Sequence, residues 1–172
     1  LIGVFVSGLM VGRTPEYLGK KIEAFEMKMA ALVVLIPSAA VLVGTAATLL
    51  HGEAGNWITN PGPHGFSQVL YAWSSAANNN GSAFAGLVAD QPFLDIGLGI
   101  AMLVGRYAPI AAVLALAGSL AAKKRTPPGA GTLPTHSPFF VGVLVAVVLL
   151  VGALTFLPAL AIGPLAEHFA AF

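Results

Sequence analysis

The sequence predicts an all-α integral membrane protein: a membrane-pore-membrane repeat, made of a span, a short re-entrant helix, a polar loop and a second span, plus one extra C-terminal transmembrane helix. Three observations predict it. The 172 residues are 57% hydrophobic and only 9% charged, against about 25% charged in soluble domains, and mean hydropathy is +0.86. The stretches Met29 to Leu50 and Phe139 to Ile162 carry no charge and reach the roughly 20 apolar residues of a membrane helix. A third apolar stretch, Pro92 to Ala122, is interrupted by Asp95 and Arg106.

The elements follow in order. "LIGVFVSGLMVG" is too short to span and lacks the basic start and cleavage site of a signal peptide. It reads as the tail of a helix whose beginning is missing, so residues 1–28 are the end of a preceding unit and its cytoplasmic connector. Lys20, Lys21 and Lys28 precede the first span, residues 29–50, and Lys123, Lys124 and Arg125 follow the third apolar stretch. His51 to Gly65 and the tail after Ile162 contain no Lys or Arg. The positive-inside rule therefore makes both basic segments cytoplasmic, and the loop after His51 and the C-terminus external.

One crossing carries the chain out at 29–50 and one returns it at 92–122, so what lies between is not a full span. "FSQVLYAWSSAAN", residues 66–78, fits a re-entrant pore helix dipping in from outside. The loop 79–86, within "AANNNGSAFAG", must then climb back out. Non-helical backbone at membrane depth is tolerated only where protein buries it or it lines a water-filled cavity. The span 92–122 would measure about 46 Å as one helix, too long to cross straight. Residues 123–138 form a cytoplasmic loop, and 139–172 the final transmembrane helix and an external tail.

This is the plan of potassium channels and their relatives. The short helix aims its C-terminal carbonyl dipoles at the point where a cation would sit, and the loop carbonyls replace the ion's water shell. "LMVGR" at Leu9 to Arg13 recurs as "MLVGR" at Met102 to Arg106, each followed by a proline and a Lys-Lys pair, which suggests an internal repeat. Arg106 lies within a span, about 21 Å down a roughly 30 Å core. Such a residue faces the bundle interior, pairs with a carboxylate and is a functional candidate. The repeat puts Arg13 at a similar depth with Glu16 one turn on, so an ion pair between Arg106 and Glu16 is expected.

"GLMVGRTPEYLGKKIE" at 8–23, "NPGPHGFSQVLYAWSSAANNNGSAFAGL" at 60–87, "GTLPTHSPFFVG" at 131–142 and "VLLVGALTFLPALAIGPLAEH" at 148–168 resemble the C-terminal part of the potassium-transporting ATPase A subunits, the potassium-binding chains of Kdp complexes. The resemblance implies four non-identical membrane-pore-membrane repeats around one pore. This chain would hold the end of the third, the whole fourth and a final helix. It implies a potassium filter strand at Asn79, Asn80, Gly81, Ser82 and Ala83 with Gly81 central, and a second span broken near Gly105 to Pro109 that, with Arg106, gates below the filter. The chain itself would be no enzyme and need no cofactor, with potassium as substrate. ATP would be hydrolysed by a P-type ATPase catalytic subunit, accompanied by small accessory subunits and the chain's remaining repeats in the bacterial inner membrane. The alternatives are a passive or ion-coupled potassium transporter of the same superfamily, or a structural membrane subunit with no conduction role.

Other readings carry less. A net charge of +1 with basic residues beside spans argues against a nucleic-acid partner. No cysteine is present, which removes thiolate chemistry. The four histidines have no metal-ligand spacing, and Ser74 and Ser75 have no nearby base. Asn-Gly would be a hairpin signal, but strand-like alternation is missing on both sides. "NGS" at Asn80 is a glycosylation sequon placed too deep for the enzyme. Trp57, Tyr71 and Trp73 read as interfacial aromatics, and the Gly-rich 127–135 stretch lacks a phosphate-loop ending.

Overall fold

A computed structural model of the chain describes residues 1–60, 62–88, 90–127, 129 and 132–170. Residues 128, 130 and 131 of the expected cytoplasmic loop and 171–172 of the expected tail lie outside the described residues. The elements are α1 (Ile2–Val11), β1 (Glu16–Tyr17), β2 (Lys20–Lys21), α2 (Ala24–Leu50), a 3-10 turn (Ala54–Asn56), α3 (Pro63–Ala77), α4 (Pro92–Ala122), α5 (Pro138–Leu154) and α6 (Leu157–Ala170). Among the described residues, α2 and α4 are long and apolar enough to cross a membrane, and α5 with α6, a pair bent at a short break, would make a third span. The chain forms two compact units, Leu1–Val33 with Ile110–Ala153 and Val34–Pro109 with Leu154–Phe172.

In the first unit, α1 stops where Gly12 takes a left-handed φ of 68°. The Arg13 N–H reaches back to Gly8 O at 2.8 Å and the Gly12 N–H to Leu9 O at 3.3 Å, a Schellman ending that needs a residue without Cβ cost. β1 and β2 pair antiparallel, Glu16 with Lys21 and Tyr17 with Lys20. Leu18 at φ 52° and Gly19 at φ 72° make the two-residue turn, the pair of left-handed residues that a twisted hairpin favours. Val4, Ile22, Leu133 and Phe140 form the apolar core.

Polar contacts tie this hairpin to the end of α4. Lys20 Nζ donates to the carbonyls of Leu120 and Ala121, which the helix end leaves without partners. Glu26, 0% exposed, accepts from the Glu23 N–H at 2.8 Å, from Ser119 Oγ and from Lys123 Nζ at 2.7 Å. Lys123 also reaches Glu23 at 3.1 Å. Burial pulls the Lys123 ammonium pKa down, but the bonds to Glu26 and Glu23 and their charges outweigh it and hold the group above the ordinary lysine value. A raised pKa means that this stabilisation is complete at neutral pH and is lost only as pH rises through the elevated value.

In the second unit, α3 is held among α2, α4 and α6. Trp73, 6% exposed, lies against Gly44 of α2 and Gly97 of α4, where any side chain would collide with its ring. Its Nε1 donates to Thr48 Oγ1 at 2.8 Å. Val41, Val69, Leu70, Ala77 and Ala101 complete the core. Trp57 is buried beside Leu94 and stacks on Phe93 at 5.6 Å. Both tryptophans are thus packed inside the protein: glycines make room for Trp73 and Thr48 satisfies its indole, while Trp57 lies with Leu94 and Phe93.

Four expectations need correction. The pore helix starts at Pro63, not 66, because proline suits the first helical turn. The helix that holds the first span begins at Ala24, before Met29, and the charge of Glu26 in its first turn is met by Ser119 and Lys123. α4 is continuous through Gly105 and Pro109, so the expected break there is absent. The interruption lies instead in the final helix, at Thr155 and Phe156. What was expected as an external tail after Ile162 continues as α6, packed on α3: Gly163 abuts Ser67 Oγ and Glu167 pairs with His64 Nδ1 at 3.3 Å.

Replacing Lys123 by Met leaves the buried Glu26 carboxylate without its countercharge and is expected to cost about 3 kcal/mol. Adding Glu26→Leu should restore most of that. Thermal unfolding of the complete detergent-solubilised subunit checks both, and equal melting of wild type and Lys123→Met would refute the ion pair's role.

Candidate functional site

The polar loop begins as the end of α3. Asn79 has a left-handed φ of 60°, a conformation that asparagine tolerates better than most residues. The Asn80 N–H donates to Ser75 O at 2.9 Å and the Asn79 N–H to Ala76 O at 3.0 Å, so the helix closes in a second Schellman motif. Asn78 caps Ser74 O through its backbone N–H at 3.1 Å and its Nδ2 at 2.8 Å. The Asn run is thus first a helix stop and only then an irregular loop.

Beyond it the chain is non-repetitive through Phe84, with Gly81 at φ 82°. The Ser82 N–H donates to Ser75 Oγ at 2.7 Å. Ser82 Oγ lies 3.1 Å from Ser75 Oγ and 2.9 Å from Tyr71 OH, while the Tyr71 ring stacks on Phe84 at 4.6 Å. Further on, Gly86 presses against Thr59 Oγ1, and a Cβ there would come within 2.8 Å of Gln68 Nε2. The Val88 N–H returns to Trp57 O at 2.9 Å.

These bonds fix carbonyl directions. In a trans peptide the C=O points opposite to the N–H of the next residue, and no cis bond occurs among the described residues. With the Ser82 N–H turned toward α3, the Gly81 carbonyl points away from it. With the Asn80 N–H turned onto the helix end, so does the Asn79 carbonyl. Gly81 to Ala85 are exposed, so the outward side of the loop is unobstructed within this chain.

The Arg106 side chain, on α4, donates from Nε to Asn79 Oδ1 at 3.1 Å. Beside it, Gly105 lies against the Ala77 carbonyl, where a Cβ would collide. Glu16 has a different partner: its Oε2 accepts from Thr132 Oγ1 at 3.2 Å, and Arg13 Nη1 donates to Thr132 O at 3.0 Å. The expected ion pair between Arg106 and Glu16 is not among the ion pairs of the described residues. Its premise was that Arg13 and Glu16 continue a helix as Arg106 does, whereas α1 ends at Val11 and Glu16 belongs to a strand.

Asn79, Asn80, Gly81, Ser82 and Ala83 are thus contiguous on one loop, and Arg106 touches its first residue. Sequence reasoning missed Gln68, Tyr71 and Ser75. Their spacing of three and four places them on one face of α3, a polar stripe that would have pointed to the loop.

The chain is similar to known proteins along nearly its whole length. The family model described as the potassium-transporting ATPase A subunit matches residues 1–169. Among curated relatives, the potassium-transporting ATPase potassium-binding subunit of Sorangium cellulosum is 69% identical over 98% of this chain and 29% of its own length. Those of Methylococcus capsulatus and Anaeromyxobacter dehalogenans are each 63% identical, over 98% and 99% of this chain and 28% and 30% of theirs. The chain therefore spans under a third of the length of these relatives.

Asn79 combines two roles that substitutions separate. Asn79→Gly keeps the left-handed helix stop, removes only the Arg106 contact and should melt within about 0.5 kcal/mol of wild type, whereas Asn79→Ala strains the stop by about 1 kcal/mol or more. Thermal melts of the complete subunit check the order, and an alanine variant as stable as the glycine one would contradict it.

Proposed function

The chain belongs to the potassium-transporting ATPase A subunit family, and from that premise we propose that loop 79–86 supplies one of four strands of a potassium filter in the complete subunit. The single observation that carries this reading is the bond from the Ser82 N–H to buried Ser75. It turns the Gly81 carbonyl outward from the loop, the orientation in which a carbonyl dipole can replace part of an ion's water shell. Asn79 offers a second carbonyl turned the same way, and the α3 C-terminus adds its negative dipole end behind them.

The rest of the pathway follows as part of the same proposal. Preceding repeats of the chain complete the filter with three further strands. Arg106, bonded to Asn79, stands where it can govern passage beyond the loop by its charge. The relatives are named as the potassium-binding subunit of a potassium-transporting ATPase, so this subunit supplies the ion site and a P-type catalytic subunit supplies hydrolysis, with small accessory subunits beside it. The setting is the bacterial inner membrane, with the basic connectors inside and the C-terminus outside.

Gly81→Ala tests the ion site cleanly, because a Cβ at Gly81 meets nothing within 4 Å and the substitution acts through backbone conformation alone. The left-handed φ costs a non-glycine residue about 1–2 kcal/mol, so potassium half-activation of the complete complex should weaken by about tenfold. Unchanged potassium dependence would favour a structural subunit without a conduction role. Potassium uptake in vesicles should also cease without ATP, and uptake that persists would favour a passive or ion-coupled transporter.

A further inference from the structure

We infer that Tyr71, Ser75 and Ser82 form a positioning triad that sets ion discrimination by fixing the loop from behind, an inference that rests on the reading of loop 79–86 as a potassium site. Ser75 is 4% exposed, and its hydroxyl takes the Ser82 N–H at 2.7 Å. The Ser82 side chain then folds back, with its Oγ 3.1 Å from the same Ser75 hydroxyl and 2.9 Å from Tyr71 OH. Two helix side chains one turn apart therefore hold one loop residue by its backbone and by its side chain.

Neither Tyr71 nor Ser75 needs to touch the ion to matter. The Gly81 carbonyl shares a rigid peptide plane with the Ser82 N–H, so a rotation that releases the N–H from Ser75 swings that carbonyl by the same angle. Gly81 and the serine have few other restraints: a Cβ at Gly81 meets no atom within 4 Å, and the loop from Gly81 to Ala85 is exposed. A site built of carbonyls distinguishes ions of similar charge only as far as its oxygens are held at one spacing. The triad is the restraint on that spacing which this chain contributes, and Phe84 stacked on Tyr71 at 4.6 Å extends it by two residues.

The test compares Tyr71→Phe, Ser82→Ala, Ser75→Ala and Ser75→Thr in the complete complex, reading ATPase half-activation by potassium and by rubidium. Each lost hydroxyl removes about one net hydrogen bond, so the potassium-to-rubidium preference should change by about two- to tenfold in the first three variants. In Tyr71→Phe, which lies behind the loop, the maximal rate at saturating potassium should hold within about twofold, and Ser75→Thr, which keeps the hydroxyl, should restore the preference. Ser75→Ala buries an unpaired N–H and can impair assembly, so the decision rests on Tyr71→Phe, which retains the ring, and Ser82→Ala. An unchanged preference in both, with Gly81→Ala still shifting potassium half-activation, overturns the triad alone. If Gly81→Ala also has no effect, the ion-site reading itself is wrong and the triad falls with it.

Discussion

Ser75 accepts two backbone N–H groups from the loop that follows its own helix, Asn80 at its carbonyl and Ser82 at its hydroxyl. Among the described residues the loop has no neighbouring strand to supply these bonds, and a buried N–H left unpaired costs about 1–3 kcal/mol. One residue on α3 meets that demand for alternate residues of the loop. The consequence is directional as well as energetic: because both N–H groups point back at the helix, the carbonyls of Asn79 and Gly81 point away from it. A constraint of hydrogen-bond satisfaction thus generates the outward carbonyls on which the proposed potassium site relies.

That arrangement works only if α3 is itself immobile, and the opposite face of the helix shows how it is held. Trp73, two residues before Ser75, points away from the loop and fills notches at Gly44 and Gly97. Its indole N–H is satisfied by Thr48, whose hydroxyl in turn donates to Gly44 O at 2.9 Å. The C-terminal end of α3 rests on Gly105, and its flank receives Gly163 at Ser67. Small residues let helix backbones approach closely, the means by which helices associate when no hydrophobic driving force separates protein from lipid. The glycines of α2, α4 and α6 are therefore the seats of the short helix, and the short helix is the seat of the loop.

Much of this was legible in the sequence because its causes are local. Apolar length located α2 and α4, and the stretch 66–78 read as a short helix between them, which α3 matches to within three residues. The features that escaped are those decided by distant partners. The charge of Glu26 in the first turn of α2 is met by Ser119 and Lys123, more than 90 residues away. α6 continues the final helix beyond a break, packed on α3 where Gly163 meets Ser67 and Glu167 meets His64. The Asn run reads as filter loop from the sequence, but only the bonds from Asn79 and Asn80 identify its first part as a helix stop. The polar stripe of Gln68, Tyr71 and Ser75 was readable, but its meaning required knowing which segment lies against it.

The recurring pentapeptide shows most sharply where local sequence stops deciding structure. In "LMVGR" the glycine adopts φ 68° and ends α1, and a Cβ on it would meet no atom within 4 Å. In "MLVGR" the glycine is helical, and the Ala77 carbonyl occupies the space its side chain would need. The nearby prolines do not separate the two cases by themselves. Pro15 follows its glycine by three residues in a chain already turning into a hairpin, whereas Pro109 follows by four and is carried inside a continuous helix. What differs is the neighbour: Gly12 has none and is free to take the conformation that stops a helix, while Gly105 receives the end of α3 and must stay helical to receive it. The arginine after each glycine is redirected accordingly, Arg13 to the carbonyl of Thr132 and Arg106 to the side chain of Asn79. Only the second copy therefore delivers its charge to the polar loop, and it does so because α3 ends against the glycine beside it.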